Sequence, residues 1–353
     1  MSSVITGIGS YIPSVVKKNI DFNAENFYTD KNVKIETPNP IIIEKFKAIT
    51  GIEERRYAPA EMDSSDLATI AAQKAITKAN IDIETLDYII LAQNFGNIKK
   101  GEIQSDFVPS LASRVKHNLR IKNPNCVAYD VVFGCPGWIE GLIQADTFIK
   151  AGLAKKCLII GSETLSRVVD MHDRDAMIYS DGAGACILEA KDDNTSGILS
   201  HTTATHTYDE AHYLFYGKSN NLDANQNIRY IKMYGRKIYE FALINVPIAM
   251  KSALDKSGVD IEDLKKIFIH QANEKMDEAI VHRFYKLYNM ETPEYIMPMS
   301  IQDLGNSSVA TVPTLLDLVI ENKIEHHKLH KGDVFMLASV GAGMNINAVI
   351  YRY

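Results

Sequence analysis

Two segments of this chain are copies of one another, and that limits its fold more than any other feature. Ala75–Gln93 (AITKANIDIETLDYIILAQ) aligns without gaps to Ala253–Gln271 (ALDKSGVDIEDLKKIFIHQ) at a constant offset of 178 positions. Identities include Asp82/Asp260, Ile83/Ile261, Glu84/Glu262, Leu86/Leu264, Ile89/Ile267 and Gln93/Gln271. Each copy reads as a helix, a short turn and a buried strand. A second pair of strand-like runs agrees in order, Cys157–Gly161 with Val334–Ala338. Matches in the same order point to a duplicated half. Strands that are continuously apolar and alternate with helices call for a parallel sheet covered on both faces. The expected architecture is α/β in two pseudo-duplicated halves, residues 1–193 and 194–353, joined in the polar stretch Asp192–Gly197. A chain of 353 residues, 46% hydrophobic and 23% charged, is large enough to bury both cores.

The second informative stretch is VVFGCPGWIEGLIQADTFIKAG, Val131–Gly152. Val131–Phe133 reads as a strand end, Gly134 permits a tight turn, and Pro136 suits the first helical position. Trp138, Ile139, Leu142, Ile143, Ala145, Phe148 and Ile149 then recur at helical spacing, and Gly152 is a natural stop. Cys135 therefore lies at a strand-to-helix elbow on the positive end of a helix, where a lowered thiol pKa is expected. The alternative is an inert buried cysteine. The duplication maps FGCPG, Phe133–Gly137, onto LGNSS, Leu304–Ser308, which opens a helix expected to run from about Ser307 to Ile320. His270 closes the repeated strand of the second half. Ligands collect at the carboxyl ends of strands in such sheets. Cys135, His270 and Asn306 are thus expected to converge on one pocket.

Elsewhere the pattern predicts a strand at Val4–Ile8, an irregular insertion at Asp21–Pro40, and a short helix at Ile43–Ile49. A helix from Ser64, another over Phe107–Leu119, and a strand over Asn125–Phe133 follow. The net charge of −6 and a pI near 5.9 argue against nucleic-acid or membrane-surface binding. The four cysteines form no CxxC pair, as suits reduced thiols. No apolar run approaches the ~20 residues of a membrane span, and the first residues lack the charged and apolar regions of a signal peptide, so the expected location is cytoplasmic. His326, His327 and His330 are read as solvated. His201, His206 and His212 lack ligand spacing, so no metal site is expected. DGAGAC lacks the dinucleotide fingerprint.

Seven motifs occur in order across almost the whole chain: TGIEERR from Thr50, the Cys135 elbow, GSETLSR from Gly161, YSDGAGAC from Tyr179, IHQANEKM from Ile269, LGNSSVATVP from Leu304 and SVGAGMN from Ser339. Together they resemble 3-oxoacyl-(acyl-carrier-protein) synthase III, a ketoacyl synthase III-like condensing enzyme of the thiolase superfamily. The resemblance implies a thiolase-like fold, its two halves in a layered αβαβα arrangement, and an acyltransferase activity with catalytic residues Cys135, His270 and Asn306. Cys135 accepts an acyl group from a thioester. His270 and Asn306 stabilise the enolate formed as a malonyl unit on acyl carrier protein loses CO2. The N–H groups of Cys135 and Ala342 form the oxyanion hole, Ala342 replacing the family's usual glycine. Substrate-binding roles fall on Phe133, Arg174 and Lys275, the last toward the acidic carrier protein. Lys45 and Ile49 stand where the family places, respectively, the tryptophan and the arginine that sandwich the coenzyme A adenine. Acyl-CoA and acyl-carrier-protein thioesters are implied as substrates, with no cofactor, in a homodimer of fatty-acid, specialised lipid or polyketide metabolism. Acyl transfer to another nucleophile, or a silent partner subunit, are the alternatives on this scaffold. A papain-like Cys–His–Asn protease is disfavoured by the duplication and the local cysteine signature.

Overall fold

The computed structural model describes residues 2–192 and 195–353, so the expected boundary between residues 193 and 194 lies outside the described residues. Its strands are β1 (Ser2–Tyr11), β2 (Val15–Lys18), β3 (Glu54–Tyr57), β4 (Tyr88–Ala92), β5 (Val127–Val131), β6 (Lys156–Thr164), β7 (Asp181–Lys191), β8 (Gly197–Thr205), β9 (Leu214–Gly217), β10 (Tyr230–Met233), β11 (Leu264–Ile269), β12 (Val334–Gly341) and β13 (Asn345–Arg352). Its helices are α1 (Asn39–Thr50), α2 (Ser64–Ala79), α3 (Leu111–Asn118), α4 (Gly137–Lys150), α5 (Gly235–Ser257), α6 (Glu274–Lys286), α7 (Ile301–Leu304) and α8 (Thr311–Ile320).

One sheet has five strands in the order β1-β7-β6-β4-β5; the other has four, β11-β12-β13-β8. Both are mixed rather than parallel as expected, because the hairpins β6–β7 and β12–β13 and the edge strands β1 and β8 pair antiparallel, and both repeat one pattern. β6 lies parallel to β4 and antiparallel to β7, as β12 lies parallel to β11 and antiparallel to β13. β1 and β8 close the same edge in each. The place equivalent to β5 is taken by the segment around Ile296, whose carbonyl accepts from the Ile267 N–H at 2.9 Å. That segment forms no strand. Pro293 and Pro298 cannot donate to a ladder, and Tyr295 has φ 55°.

α4 and α8 lie between the sheets. Trp138 and Leu142 of α4 pack with Leu315 and Val319 of α8 against Ile159 of β6 and Leu337 of β12, all buried. α2 and α3 cover the outer face of the first sheet, and α5 and α6 that of the second. Each fully buried aliphatic side chain contributes about 1.5–3 kcal/mol, so the shared layer holds the halves together. Asp317 on α8 reinforces it: it accepts from Ser10 Oγ of β1 at 2.6 Å and pairs with Lys78 of α2 at 2.7 Å. A fourth apolar cluster gathers Phe22 and Phe27 of the insertion, with Phe46 of α1, onto Leu165, Val168 and Met177.

Two expected helices start later than their sequence suggests. Phe107–Leu119 is helical only from Leu111, because the Ser110 hydroxyl caps α3 by accepting the Ser113 N–H at 3.2 Å. The helix expected from Ser307 begins with a tight turn, Ser308–Ala310, and becomes α-helical at Thr311. His327 is buried rather than solvated, and burial lowers its imidazole pKa to about 4.

Candidate active site

The elbow before α4 has a single backbone solution. Gly134 adopts φ 66°, and a Cβ there would meet Ala342 N and O, each at 2.7 Å. A Cβ on Gly341 would meet Cys135 N at 2.5 Å. Two chain segments from opposite halves thus touch backbone to backbone. Asn345 ties them: its Nδ2 donates to Phe133 O at 3.1 Å and Ala342 O at 2.7 Å, while its Oδ1 accepts from Thr205 Oγ1 at 2.7 Å. The N–H groups of Cys135 and Ala342 are therefore neighbours.

Asn306 is positioned by the strand-like segment before β7. Its N–H donates to Ile178 O at 3.0 Å, and Ser180 N–H donates to its carbonyl at 2.9 Å. That segment is anchored by the fully buried Arg55, whose Nε and Nη2 donate to Met177 O at 3.0 and 2.7 Å. The Asn306 Oδ1 accepts the Ser308 N–H at 2.8 Å, which leaves the NH2 end of the amide as a donor. His270 follows β11 and is buried; its Nδ1 lies 2.7 Å from Thr311 Oγ1. Burial lowers its pKa to about 3, so the ring is neutral. The single Thr311 hydroxyl proton has two acceptors in reach, His270 Nδ1 at 2.7 Å and Ser308 O at 3.0 Å; given to Nδ1, it leaves Nε2–H as the donor of the neutral ring. Ser308 Oγ, finally, donates to Cys135 Sγ at 3.3 Å. Cys135, His270 and Asn306, far apart in sequence, are linked through Ser308 and Thr311.

The thiol itself departs from expectation. Burial, reinforced by the nearby Glu163, raises the Cys135 pKa to about 11, against the lowering effect of Ser308. A helix terminus contributes roughly 0.3–2 kcal/mol, and α4 starts only at Gly137. Desolvation outweighs it. Glu163 is buried too, and burial lifts its carboxyl to about 8.

Phe133 is half-buried beside the elbow, and its carbonyl is held by Asn345. Arg174 and Lys275 are exposed, on the turn Arg174–Ile178 and on α6, and neither joins the hydrogen bonds around Cys135. Ser308, Thr311, Glu163 and Asn94 were not singled out by the sequence. The first three lie inside the motifs LGNSSVATVP and GSETLSR, while Asn94 had no signal beyond following the repeated strand. Among the described residues, no group of three or more His, Cys, Asp or Glu is arranged to hold a metal ion.

Two duplicated sheets sharing a buried helix pair, with an elbow at the carboxyl end of β5, define a thiolase-fold protein. Residues 129–207 match the family 3-Oxoacyl-[acyl-carrier-protein (ACP)] synthase III, and residues 254–353 match its C-terminal region. The β-ketoacyl-[acyl-carrier-protein] synthase III of Aquifex aeolicus is 32% identical over 100% of both chains, and that of Erythrobacter litoralis 30% identical over 99% of both. A crystal structure of the synthase III from Aquifex aeolicus superposes with a TM-score of 0.78 at 30% identity, covering 99% of this chain and 100% of that one. The Thermus thermophilus structure gives 0.82 at 28% identity, covering 99% and 98%. The chain belongs to the 3-oxoacyl-(acyl-carrier-protein) synthase III family, and it is an acyltransferase of that condensing type.

Proposed function

We propose that Cys135 is the acyl-accepting nucleophile, that His270 and Asn306 stabilise the malonyl enolate, and that the N–H groups of Cys135 and Ala342 form the oxyanion hole. The observation that carries this is the gathering of all three residues around Ser308 and Thr311: Ser308 Oγ donates to Cys135 Sγ, Ser308 N–H donates to Asn306 Oδ1, and Thr311 Oγ1 lies 2.7 Å from His270 Nδ1. In the first half-reaction the Cys135 sulfur attacks an acyl thioester, and the donor thiol leaves with the proton. In the second, malonyl-acyl-carrier-protein loses CO2, its enolate carbon attacks the acyl-Cys135 carbonyl, and the thiolate departs from a 3-oxoacyl product. Donors placed where charge develops are the main source of acceleration in such chemistry.

Phe133 bounds the acyl site in this reading, Arg174 meets the donor's coenzyme, and Lys275 meets acyl carrier protein. The halves 1–193 and 194–353 each supply one side of the site. The working form is a homodimer: β5 is an unpaired sheet edge with Val127 and, just beyond it, Val132 exposed, a surface that second copies cover well. Its compartment is the cytoplasm, consistent with four free cysteines, three of them buried. No helix among the described residues is long and apolar enough to cross a membrane.

Intact-mass analysis after incubation with acyl-CoA and acyl-carrier-protein donors tests the nucleophile. Wild type should gain one acyl mass and Cys135→Ala none. A Cys135→Ala protein that still gains the mass would remove the assignment.

A further inference from the structure

Cys135 does not meet its environment through the helix terminus alone. Asn94, just past β4, reaches three groups around it. Its Oδ1 accepts the Gly134 N–H at 3.0 Å. Its Nδ2 donates to Glu163 Oε1 at 2.6 Å and lies 3.3 Å from Ser308 Oγ. Glu163 also accepts the Asn94 backbone N–H. An amide NH2 can only donate, so the Ser308 oxygen must accept from it. The single hydroxyl proton of Ser308 is then directed elsewhere, and the atom waiting at 3.3 Å is Cys135 Sγ.

We propose that Ser308 is a catalytic residue of acyl loading, donating to the Cys135 sulfur as it becomes a thiolate, and that Asn94, held by Glu163, is the positioning residue that aims it. This rests on Cys135 being the acyl acceptor. The chain of bonds crosses the duplication: Asn94 and Glu163 come from the first half and Ser308 from the second. It is also distinct from the enolate donors. Ser308 touches Asn306 and Thr311 only through its own backbone N–H and C=O. Those contacts survive loss of the hydroxyl.

The network carries two opposing effects on the sulfur. The hydroxyl favours the anion, whereas Glu163, once ionised, disfavours it. Of the other titratable groups near the site, Tyr179, before β7, interacts with Cys135 directly, and His270, after β11, stands beyond Ser308 and Thr311. Burial keeps the first protonated and the second neutral over the working range. Glu163, which ionises below the thiol, is therefore the neighbour that already carries a negative charge as the thiol ionises.

The opposition supplies the test. The rate of Cys135 alkylation by iodoacetamide, measured against pH, reports the thiolate fraction. Ser308→Ala should move the midpoint up by roughly one to two pH units, the worth of a hydrogen bond to a charged group. The residue keeps φ 53°, which costs Ala no less and no more than Ser in backbone terms. Asn94→Ala should move it the same way by less, because the hydroxyl remains but is no longer aimed. Glu163→Gln keeps an oxygen acceptor for Asn94 and removes the charge, so its midpoint should move down. A merely structural role would shift all three variants in one direction. Coincident midpoints for Ser308→Ala and wild type, or shifts of the same sign for Ser308→Ala and Glu163→Gln, would overturn the proposal. Acyl mass on Cys135 in the same preparations keeps that failure separate from failure of the nucleophile assignment.

Discussion

Gly134→Ala isolates the geometry of the proposed oxyanion hole without touching any side chain proposed to react. The wild-type residue has φ 66°, and an alanine held there costs about 1–2 kcal/mol. The added methyl would also stand 2.7 Å from both Ala342 N and Ala342 O, where an ordinary contact begins at 3.4 Å. Backbone on one side or the other must retreat by the difference. The Ala342 side is tied through its carbonyl to Asn345, and Asn345 is tied in turn to Phe133 and Thr205. Relief therefore separates the two N–H groups of the hole rather than leaving them in register. Displacements near 1 Å at a reacting centre cost on the order of 10²-fold in rate. The expected outcome is a stability loss of a few degrees in Tm with a fall of roughly 10²-fold in the acylation rate, measured by quenched-flow mass spectrometry. Iodoacetamide, which needs no oxyanion hole, should still alkylate Cys135 within severalfold of wild type. Acylation at the wild-type rate in a folded Gly134→Ala protein would refute the assignment of Ala342 N–H to the hole.

Four further outcomes are expected. His270→Ala and Asn306→Ala should acylate but release CO2 from malonyl donors on the order of 10²–10³ times more slowly; near-normal release in both would remove their role. Burial raises the Glu163 pKa to about 8, so the folded state holds a proton that the unfolded chain loses near 4.5, and this contribution to stability is lost as pH rises through that window. Glu163→Gln should therefore gain on wild type between pH 5 and 8, by at most about 1.4 kcal/mol per unit; urea midpoints whose difference does not change with pH would contradict it. Lys275→Glu should raise KM for carrier-bound substrates more than for small thioesters, since exposed charges act on encounter; equal effects would exclude a carrier contact. Lys45 and Ile49 are both exposed on α1 and offer no aromatic ring, Ile49 being 56% accessible; the loss of ring stacking should weaken coenzyme A binding roughly threefold to thirtyfold. Turnover should then favour longer or carrier-bound donors, and acetyl-CoA serving as well as the best of them would overturn that expectation.

The duplication was legible because both copies repeat their local chemistry as well as their hydrophobic pattern. α2 ends on Asn80 at φ 52° and α5 on Gly258 at φ 69°, the two residue types that tolerate a left-handed cap. Asp82 and Asp260 then open the short turns that lead into β4 and β11. From that register the mutual placement of Cys135, His270 and Asn306 could be anticipated. What could not be anticipated depends on contacts between halves. Nothing local marks Asn94, whose partners Glu163 and Ser308 lie 69 and 214 positions away. The thiol was misjudged for the same reason: a helix terminus is visible in sequence, whereas the desolvation that overrides it comes from packing. His327 looked solvated among charged neighbours, yet its burial lies in tertiary contacts.

The pKa directions around the site share one consequence. Near neutral pH the Cys135 thiol is held by burial toward its protonated form, Glu163 likewise, Tyr179 well above its ordinary range, and His270 as the uncharged ring. A resting site with no net charge avoids the cost of burying an unpaired ion. The proposed reaction then creates anions one at a time: a thiolate on Cys135, a tetrahedral oxyanion, and an enolate. Each has its own neutral donors. The Ser308 hydroxyl serves the first, the N–H groups of Cys135 and Ala342 the second, and the Asn306 amide with the His270 ring the third. Neutral dipoles suit this sequence better than a fixed cation. A lysine or a protonated histidine would stabilise whichever anion came first and hold it there. Because the donors are separate groups on a common framework, each can be removed while the others stay in place. The framework is the part that tolerates least change, and its tightest point is the backbone contact between Gly134 and Ala342.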